Sequence, residues 1–219
     1  MASPTIENYA KRIWMLHEQD PESPVALGAL AAALGVTAGT VTTMIKMMAA
    51  ADLVRYHARR GVELTARGRR LALHVLRRHR VIELYLVERL GMDWAEVHEE
   101  AEILEHAISD RVLKKMEEVL GDTSHDPHGA PIPGDSGEWA DPRKLTALNA
   151  CPPGSTVTIA QVRQQERDVL DFLSRHGLRP GALIEVVRVD PKAGIVEVRR
   201  GRNEAVHLGL HAAAAVEVE

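Results

Sequence analysis

The sequence predicts a mainly α-helical protein that ends in a small β domain. Over roughly the first 120 of its 219 residues, apolar side chains recur at the spacing of amphipathic helices. Residues 121–144 are rich in proline and glycine and lack that spacing, and strand-like alternation follows them. We therefore expect four regions: an N-terminal helical domain at 1–70, a second helical domain at 71–122, a linker at 123–144 and a β domain at 145–219.

The first region has the pattern of a helix-turn-helix. Ser3 is a good N-cap and Pro4 suits the first position of a helix, so a helix should begin there. A short alanine-rich stretch, a tight turn at Gly35 and an amphipathic stretch capped by Thr37 follow. They predict two further helices, over residues 25–34 and 38–51, with Val41, Ile45 and Met48 pointing inward.

A basic hairpin is expected after this motif. Short strands over 53–56 and 62–64 flank a tip that carries two arginines, and nine arginines against one acid lie between residues 55 and 80. Such a hairpin is typical of a wing that contacts DNA phosphates, and exposed side chains of the preceding helix would face the bases. The expected DNA contacts are Thr37, Gly39, Thr40, Thr42, Thr43, Lys46, Arg59 and Arg60.

Two clusters of metal-ligating residue types lie in the second region. A long helix capped by Thr65 should run to about residue 90, and it carries His79 and Glu83 four residues apart on one face. A second helix is expected over 94–108, and a third, capped by Ser109, should end near residue 121. At about 100° per residue, one face of the second helix would hold His98, Glu102, Glu105 and His106. Imidazole and carboxylate groups beside a basic DNA-binding region indicate a regulator that senses a divalent metal.

The last region predicts a small β-barrel with one helix. Strands are expected over 156–162, 183–189 and 195–198, and a helix over 166–176 should separate the first two.

Composition limits the class of protein. The net charge is −4, yet the basic stretch described above is followed by an acidic one from residue 83 to 122, so the average conceals an asymmetry that suits DNA binding. Cys151 is the only cysteine, which excludes a disulfide framework. No apolar run of membrane-spanning length is present, and the first residues lack the features of a secretion signal. We expect a cytoplasmic protein without a membrane partner.

These features together resemble the diphtheria toxin repressor family of metal-dependent transcription regulators. The resemblance covers almost the whole chain and rests on the order and spacing of several stretches. They are IENY at 6–9, residues 30–48, RHRVIE at 78–83, VHEEAEILEH at 97–106, IPG at 132–134 and a FeoA-like barrel after residue 144. The resemblance implies a homodimer that binds palindromic operator DNA when metal is bound. It implies neither enzymatic activity nor a small-molecule substrate.

The resemblance also implies about two metal ions per chain. Residues that match the ancillary site are His79, Glu83 and His98, joined by Glu166 from the barrel, while a second barrel position falls on Val169, which cannot coordinate metal. The residues that match the primary site are Glu102, Glu105, His106 and Asn8.

The primary site combines features of two branches of the family. Iron-type members have cysteine where this chain has Glu102, and manganese-type members have glutamate there. Manganese-type members with two bridged ions also carry acids at the positions of Asn8 and Lys11, and a protonated Lys11 would repel a second cation. Without a thiol, Mn²⁺ is the expected ion and Fe²⁺ the alternative.

Two other functions are considered. A metal-dependent hydrolase would need a second histidine four residues after His98, where the chain has Glu102. A metal-binding accessory protein of iron uptake could contain a FeoA-like barrel but would not need the helix-turn-helix.

We expect solvent-exposed positions for several remaining side chains: His17, His125, His128, His207, Arg77, Arg78 and Arg80.

Overall fold

The computed structural model describes residues 3–139, 141–164, 166–202 and 204–219. The chain forms two compact units. Unit 1 contains the residues up to His79 together with Glu105–Ala107 and Pro133–Trp139. Unit 2 contains Arg80–Leu104, Ile108–Ile132 and the remainder of the chain to Glu219.

Unit 1 begins with the predicted helix-turn-helix and wing. Ser3 caps the first helix by accepting a hydrogen bond from the Ile6 amide, and Thr37 caps the third by accepting one from the Thr40 amide. Gly35 ends the second helix with φ +64°, a conformation that glycine adopts without strain. The elements are α1 Pro4–Gln19, α2 Leu27–Leu34, α3 Ala38–Ala50, β1 Val54–His57, β2 Gly61–Leu64 and α4 Ala66–Leu90, whose last part lies in unit 2.

The core of unit 1 confirms the predicted inner face of α3. Val41, Ile45 and Met48 are completely buried there, in one cluster with apolar side chains of α1 and α2. The expected start of α2 at residue 25 is wrong. Val25 instead exchanges two backbone hydrogen bonds of 2.9 Å with Val62 of β2, which hold its backbone in an extended conformation, so the helix starts at Leu27.

The helices of unit 2 include one that is shorter than predicted. The predicted helix over 94–108 is confined to α5, Val97–Leu104, while α6, Asp110–Leu120, is capped by Ser109 as expected. The Asp93 side chain accepts a hydrogen bond from the Ala95 amide and so fixes a turn ahead of α5. Residues 105–107 form a turn outside the helix.

The β domain of unit 2 is an antiparallel sheet of six strands in the order β3-β8-β4-β5-β6-β7. The strands β4, β5 and β6 and the helix α7 were predicted. The edge strands β3 and β7, the inner strand β8 and the helix α8 were not predicted. Among the described residues the sheet is open between β3 and β7, so the expected closed barrel is wrong in that detail. The elements are β3 Thr146–Ala147, β4 Thr156–Val162, α7 Arg167–Arg175, β5 Leu183–Asp190, β6 Ile195–Arg199, β7 Val206–Gly209, α8 Leu210–Ala215 and β8 Val216–Val218, with a short 3-10 helix, Leu148–Ala150, after β3.

Three arginines of α4 are not solvated, contrary to expectation. In unit 1, Arg77 donates to the Pro133 carbonyl at 2.6 Å and pairs with Asp135 at 2.7 Å. In unit 2, Arg80 is buried and donates to the Pro131 carbonyl at 2.5 Å. Arg78 is buried as well. The side chains of Arg77 and Arg80 bind the backbone of the proline-rich segment, which lacks regular secondary structure to satisfy its own carbonyl groups.

Candidate metal centres and DNA-binding surface

The candidate metal centre of unit 1 is built around Glu105, whose side chain has no exposed surface. Both of its carboxylate oxygens lie 2.7 Å from Nζ of Lys11, which is itself buried on α1. His79 Nδ1 lies 2.6 Å from one of these oxygens. Arg78 donates to the Glu105 backbone carbonyl at 3.3 Å. A buried carboxylate needs such partners, because an isolated charge is costly to remove from water.

His106 connects the same turn to the first turns of α1. Its Nδ1 lies 2.7 Å from a Glu7 carboxylate oxygen, and its Nε2 lies 2.7 Å from Oδ1 of Asn8. Nε2 is also 3.3 Å from the nearer oxygen of Glu105. Glu7 was not among the predicted site residues, although its position one residue before Asn8 is visible in the sequence. Asn8 and His106 lie together as the resemblance implied.

Unit 2 has its own buried glutamate, Glu83 on α4, which also has no exposed surface. One of its oxygens lies 3.2 Å from Nδ1 of His98 on α5. His98 Nε2 lies 3.6 Å from Glu102, one helical turn further along. Of the predicted ligands in this unit, these three are neighbours. Glu166 is exposed at the N-cap of α7, so its predicted role as a ligand stays a prediction.

The expected single helix face with four ligands is wrong. His98 and Glu102 belong to α5, but that helix ends at Leu104, and Glu105 and His106 follow in the turn. The short contacts of Glu105 with Lys11 and His79 favour this departure from helical geometry, since they fix its side chain in the interior of unit 1.

Glu83 also belongs to a second cluster of possible metal ligands, which the spacing of residues in the sequence does not predict. Ligand atoms of Glu83, Asp126 and His128 all lie within 4.8 Å of one another, and all three residues are buried. His128 had been expected at the surface. It is 1% exposed, and its ring stacks on Trp94.

The contacts of His128 assign a different role to each ring nitrogen. Nε2 lies 2.9 Å from the Trp94 carbonyl, which can only accept, so Nε2 must be the donor. Nδ1 is buried and has no hydrogen-bond partner among the described residues. It points toward Glu83 Oε2, 3.8 Å away. Metal-ligating histidines usually donate from one ring nitrogen to a backbone or carboxylate acceptor and bind the ion through the other, and Nδ1 of His128 is placed for that role, so the cluster fits a divalent ion.

The turn that carries Asp126 and His128 is fixed from several sides. Asp126 accepts hydrogen bonds from the amides of His128 and Ala130 and lies 3.4 Å from the Arg80 guanidinium. Burial raises the pKa of the Asp126 carboxyl, and the charge of Arg80 partly opposes that effect. Gly129 has φ +84°, and a Cβ there would be 2.0 Å from the Ala160 carbonyl of β4, so only glycine allows this approach.

The candidate DNA-binding surface lies on α3 and the wing. The predicted contact residues are exposed, except Thr42, which is half-buried. The hydroxyl groups of Thr42 and Thr43 donate to backbone carbonyls one turn earlier, at 2.8 and 3.1 Å. Arg59 has φ +66° at the wing tip, where it and Arg60 are exposed. Met47, which the sequence analysis did not select, is 55% exposed and extends the stripe of Thr40 and Thr43.

Comparison with known proteins identifies the family. Residues 1–62 match the N-terminal DNA-binding domain of iron-dependent repressors, 65–134 match their metal-binding and dimerisation domain, and 146–219 match the FeoA domain. The iron-dependent repressor IdeR of Mycobacterium leprae (strain TN) is 33% identical over 226 residues, which cover 98% of this chain and 96% of that protein. The diphtheria toxin repressor of Corynebacterium diphtheriae is 32% identical over 195 residues, or 85% of each chain.

The chain belongs to the diphtheria toxin repressor family. A solved manganese-dependent transcriptional repressor in complex with manganese has a TM-score of 0.88 and 37% identity, and the match covers 97% of this chain and 98% of that one. Membership in the diphtheria toxin repressor family makes the chain a metal-dependent transcriptional regulator. It also answers the two alternatives, since neither a hydrolase nor an uptake accessory protein would match both repressor domains. Among the described residues no single helix has the length and apolar character to cross a membrane, although α2 and α3 together would pass that test across a bend of 109°.

Proposed function

We propose that the chain is a cytoplasmic, homodimeric repressor that binds palindromic operator DNA when it is loaded with Mn²⁺, with Fe²⁺ as the alternative activator. The observation that carries this proposal is the attachment of the Glu105–His106 turn to α1. Asn8 and Lys11 of α1 contact these two residues directly, and α1 packs in the core of the helix-turn-helix. Metal bound by Glu105 and His106 would therefore act on the DNA-binding unit without an intermediary.

The first metal is proposed to use Glu102, Glu105, His106 and Asn8. Oxygen and imidazole ligands without a thiolate suit Mn²⁺ and Fe²⁺, and a bound ion would supply the coordination energy that stabilises the DNA-binding form. Glu7 supports this assignment, because its carboxylate can accept the Nδ1 proton of His106 and leave Nε2 for the metal. Asn8 Oδ1 and a Glu105 oxygen already face that Nε2.

The second metal is proposed to use Glu83, and the structure offers it two histidine neighbours in unit 2. The set implied by the family resemblance joins Glu83 with His79, His98 and Glu166. We favour Glu83, Asp126 and His128, because Nε2 of His128 donates to the Trp94 carbonyl and its Nδ1 points toward the glutamate. In that arrangement three buried residues supply the metal ligands, and no ligand from an exposed residue such as Glu166 is required.

A second copy of the chain is the proposed partner for the apolar side chains that α5 and α6 leave exposed. Ile103 of α5 is 67% exposed, and on α6 Val112 and Val119, two turns apart on one face, are 47% and 54% exposed. These helices fall within the segment that matches the dimerisation domain of iron-dependent repressors. Two-fold symmetry of such a dimer would match a palindromic operator.

The proposed DNA contacts divide into two kinds. Arg59 and Arg60 on the wing, together with Lys46, are placed to contact phosphates, which position the protein without reading sequence. Thr40, Thr43 and Met47 form an exposed stripe on α3. Because the Thr43 hydroxyl already donates within the helix, this stripe presents mostly methyl groups and suits contact with thymine methyl groups.

A DNA-binding titration tests the proposal. Fluorescence anisotropy of a labelled fragment from the promoter upstream of the chain's own gene would be measured with metal-free protein, and then with Mn²⁺ or anaerobic Fe²⁺ added. We expect binding to appear with Mn²⁺ and to saturate at one dimer per palindromic site. Calorimetric titration with the two metals would compare their affinities. Binding to DNA that is equally tight with a chelator and with saturating metal would contradict the proposal.

A further inference from the structure

We propose that Lys11 is a built-in cation of the candidate metal centre in unit 1. In this view its ammonium group competes with the activating metal for Glu105 and thereby sets the metal concentration at which the regulator responds. The inference rests on the proposed function, in that it assumes a divalent ion at Glu105 and His106. It concerns a residue that is no ligand itself.

The position of Lys11 carries the inference. Lysine is almost never fully buried unless it is paired, yet Lys11 is 3% exposed. Its Nζ lies at the same distance, 2.7 Å, from both oxygens of Glu105. This symmetric contact places a positive charge on the lone pairs that a chelated ion would use, and the ammonium acts as a point charge at that place.

Metal and ammonium cannot both hold this face of Glu105. A divalent ion bound to the carboxylate would sit about 2 Å from its oxygens, by the usual lengths of metal–oxygen bonds. It would then lie closer to the Lys11 ammonium than two like charges can remain in a buried site. Lys11 therefore has to withdraw from Glu105 when the metal binds, and its flexible four-carbon chain permits that movement.

The neighbours of Lys11 make it suited to this exchange. Asn8, one turn earlier on α1, places a neutral oxygen 2.7 Å from His106 Nε2. Helix α1 thus presents two groups to the same turn: the Asn8 oxygen, which a metal can bind, and the Lys11 ammonium, which occupies the place of a metal ion. In the metal-free protein the Lys11–Glu105 pair keeps α1 attached to the turn, and metal binding exchanges that attachment for coordination.

The test removes the ammonium and measures metal binding and metal-free stability separately. Full-length Lys11→Gln and Lys11→Met would be compared with wild type, and Arg12→Gln serves as the control because it removes a positive charge from the neighbouring residue of α1. We expect the Kd for Mn²⁺ in the Lys11 variants to fall about tenfold or more, because no charge-assisted pair has to be broken. Arg12→Gln should bind Mn²⁺ like wild type.

Thermal denaturation supplies the second measurement. Without metal, the Lys11 variants should melt below wild type, because Glu105 has lost its cation; saturating Mn²⁺ should abolish that difference. A purely structural Lys11 predicts lower melting temperatures with and without Mn²⁺ and metal binding that is unchanged or weaker, and this result would overturn the inference alone. Absence of Mn²⁺ binding by wild type and by Arg12→Gln would overturn the inference and the proposed function together. If one Lys11 variant does not fold, the other decides.

Discussion

Unit 1 and unit 2 each bury one glutamate completely, and they balance its charge in different ways. Glu105 of unit 1 faces the ammonium group of Lys11, which contacts both of its oxygens. Glu83 of unit 2 faces the imidazoles of His98 and His128 at 3.2 and 3.8 Å. Glu105 also contacts imidazoles, those of His79 at 2.6 Å and His106 at 3.3 Å. What sets Glu105 apart in this comparison is therefore the lysine ammonium that lies on both of its oxygens.

Burial of an acid therefore does not by itself define a metal site. A lysine partner has to be displaced before metal can bind, whereas a histidine partner can remain and become a ligand. In unit 2 the cation Arg80 contacts Asp126 at 3.4 Å and also donates to the Pro131 carbonyl. We therefore expect the Glu83 cluster to bind metal more tightly than the Glu105 centre, which would respond at higher metal concentration.

The largest effect is expected from removal of the His106 imidazole in unit 1. His106→Ala should lower the Mn²⁺ stimulation of operator binding about a hundredfold or more, because the metal loses a direct ligand beside α1. The measurement is anisotropy with operator DNA across a Mn²⁺ titration, and Glu100→Ala on the exposed side of α5 is the control. Stimulation with the wild-type midpoint in His106→Ala would remove His106 from the ligand set.

Glu105→Ala would remove a direct metal ligand but would also disturb the fold. The structure shows that it would leave the Lys11 ammonium buried without its carboxylate, which costs roughly 3–5 kcal/mol for a buried pair. We now expect Glu105→Ala to unfold at lower temperature, and Glu105→Gln, which keeps the shape, to be preferable.

The second effect distinguishes the two histidines that lie beside Glu83, His98 and His128. His128→Ala should weaken the tighter phase of a calorimetric Mn²⁺ titration at least about tenfold, because it removes a buried donor beside Glu83. His98→Ala should do so less, and His125→Ala, a half-buried histidine outside the cluster, should have no effect. If His98→Ala abolishes the tighter phase and His128→Ala does not, the set of His79, Glu83 and His98 holds the ion.

Most of the local structure could be predicted from the sequence, but less of the two candidate metal centres could be. Caps at Ser3, Thr37 and Ser109 and the inner face of α3 were predictable, because each depends on residues within one or two turns. His128 was missed because its burial depends on Trp94 and Glu83, more than thirty residues earlier in the chain. No local spacing distinguishes such a histidine from a surface one.

Contacts between distant parts of the chain also determine the arginine positions and the shortened helix α5. Arg77 and Arg80 looked like part of a solvated basic stretch, but the carbonyls they bind belong to a segment about fifty residues away. The periodicity over 94–108 was genuine, yet it could not show that Glu105 turns inward to Lys11, 94 positions earlier. Long-range ion pairs are decided by the fold, so the family resemblance, rather than spacing, placed Asn8 beside His106.

A smaller effect is expected from the exposed cations of unit 1, which differ in role from the buried Lys11. Arg60→Ala should weaken operator and random DNA alike, by several-fold, and reduce the salt dependence by about one phosphate contact. Thr43→Ala should weaken the operator more than random DNA, because it removes a methyl contact and not a charge. Arg202→Ala, an exposed arginine of the β domain, is the control. An unchanged salt slope in Arg60→Ala would exclude the wing from the DNA interface.

The smallest effect concerns an ion pair of unit 2 that supports the His128 turn. Arg143 contacts both oxygens of Asp141, at 2.9 and 2.7 Å, and donates to the Gly129 carbonyl at 2.9 Å. Hydrogen bonding from Arg143 lowers the pKa of the Asp141 carboxyl below its ordinary value of 3.8. Ionised Asp141 therefore stabilises the fold at pH values above 3.8, and this contribution is lost as the pH falls through the lowered pKa of the folded protein.

Asp141→Asn should accordingly lower the free energy of unfolding at pH 7 by on the order of 1 kcal/mol, the usual size for a partly exposed charged pair. The difference from wild type should shrink as the pH falls below 3.8 and vanish once both proteins carry a neutral group at that position. Urea denaturation at several pH values would measure it, with Glu204→Gln as an exposed control. A loss of stability that is the same at every pH would mean that Asp141 acts through packing and not through its charge.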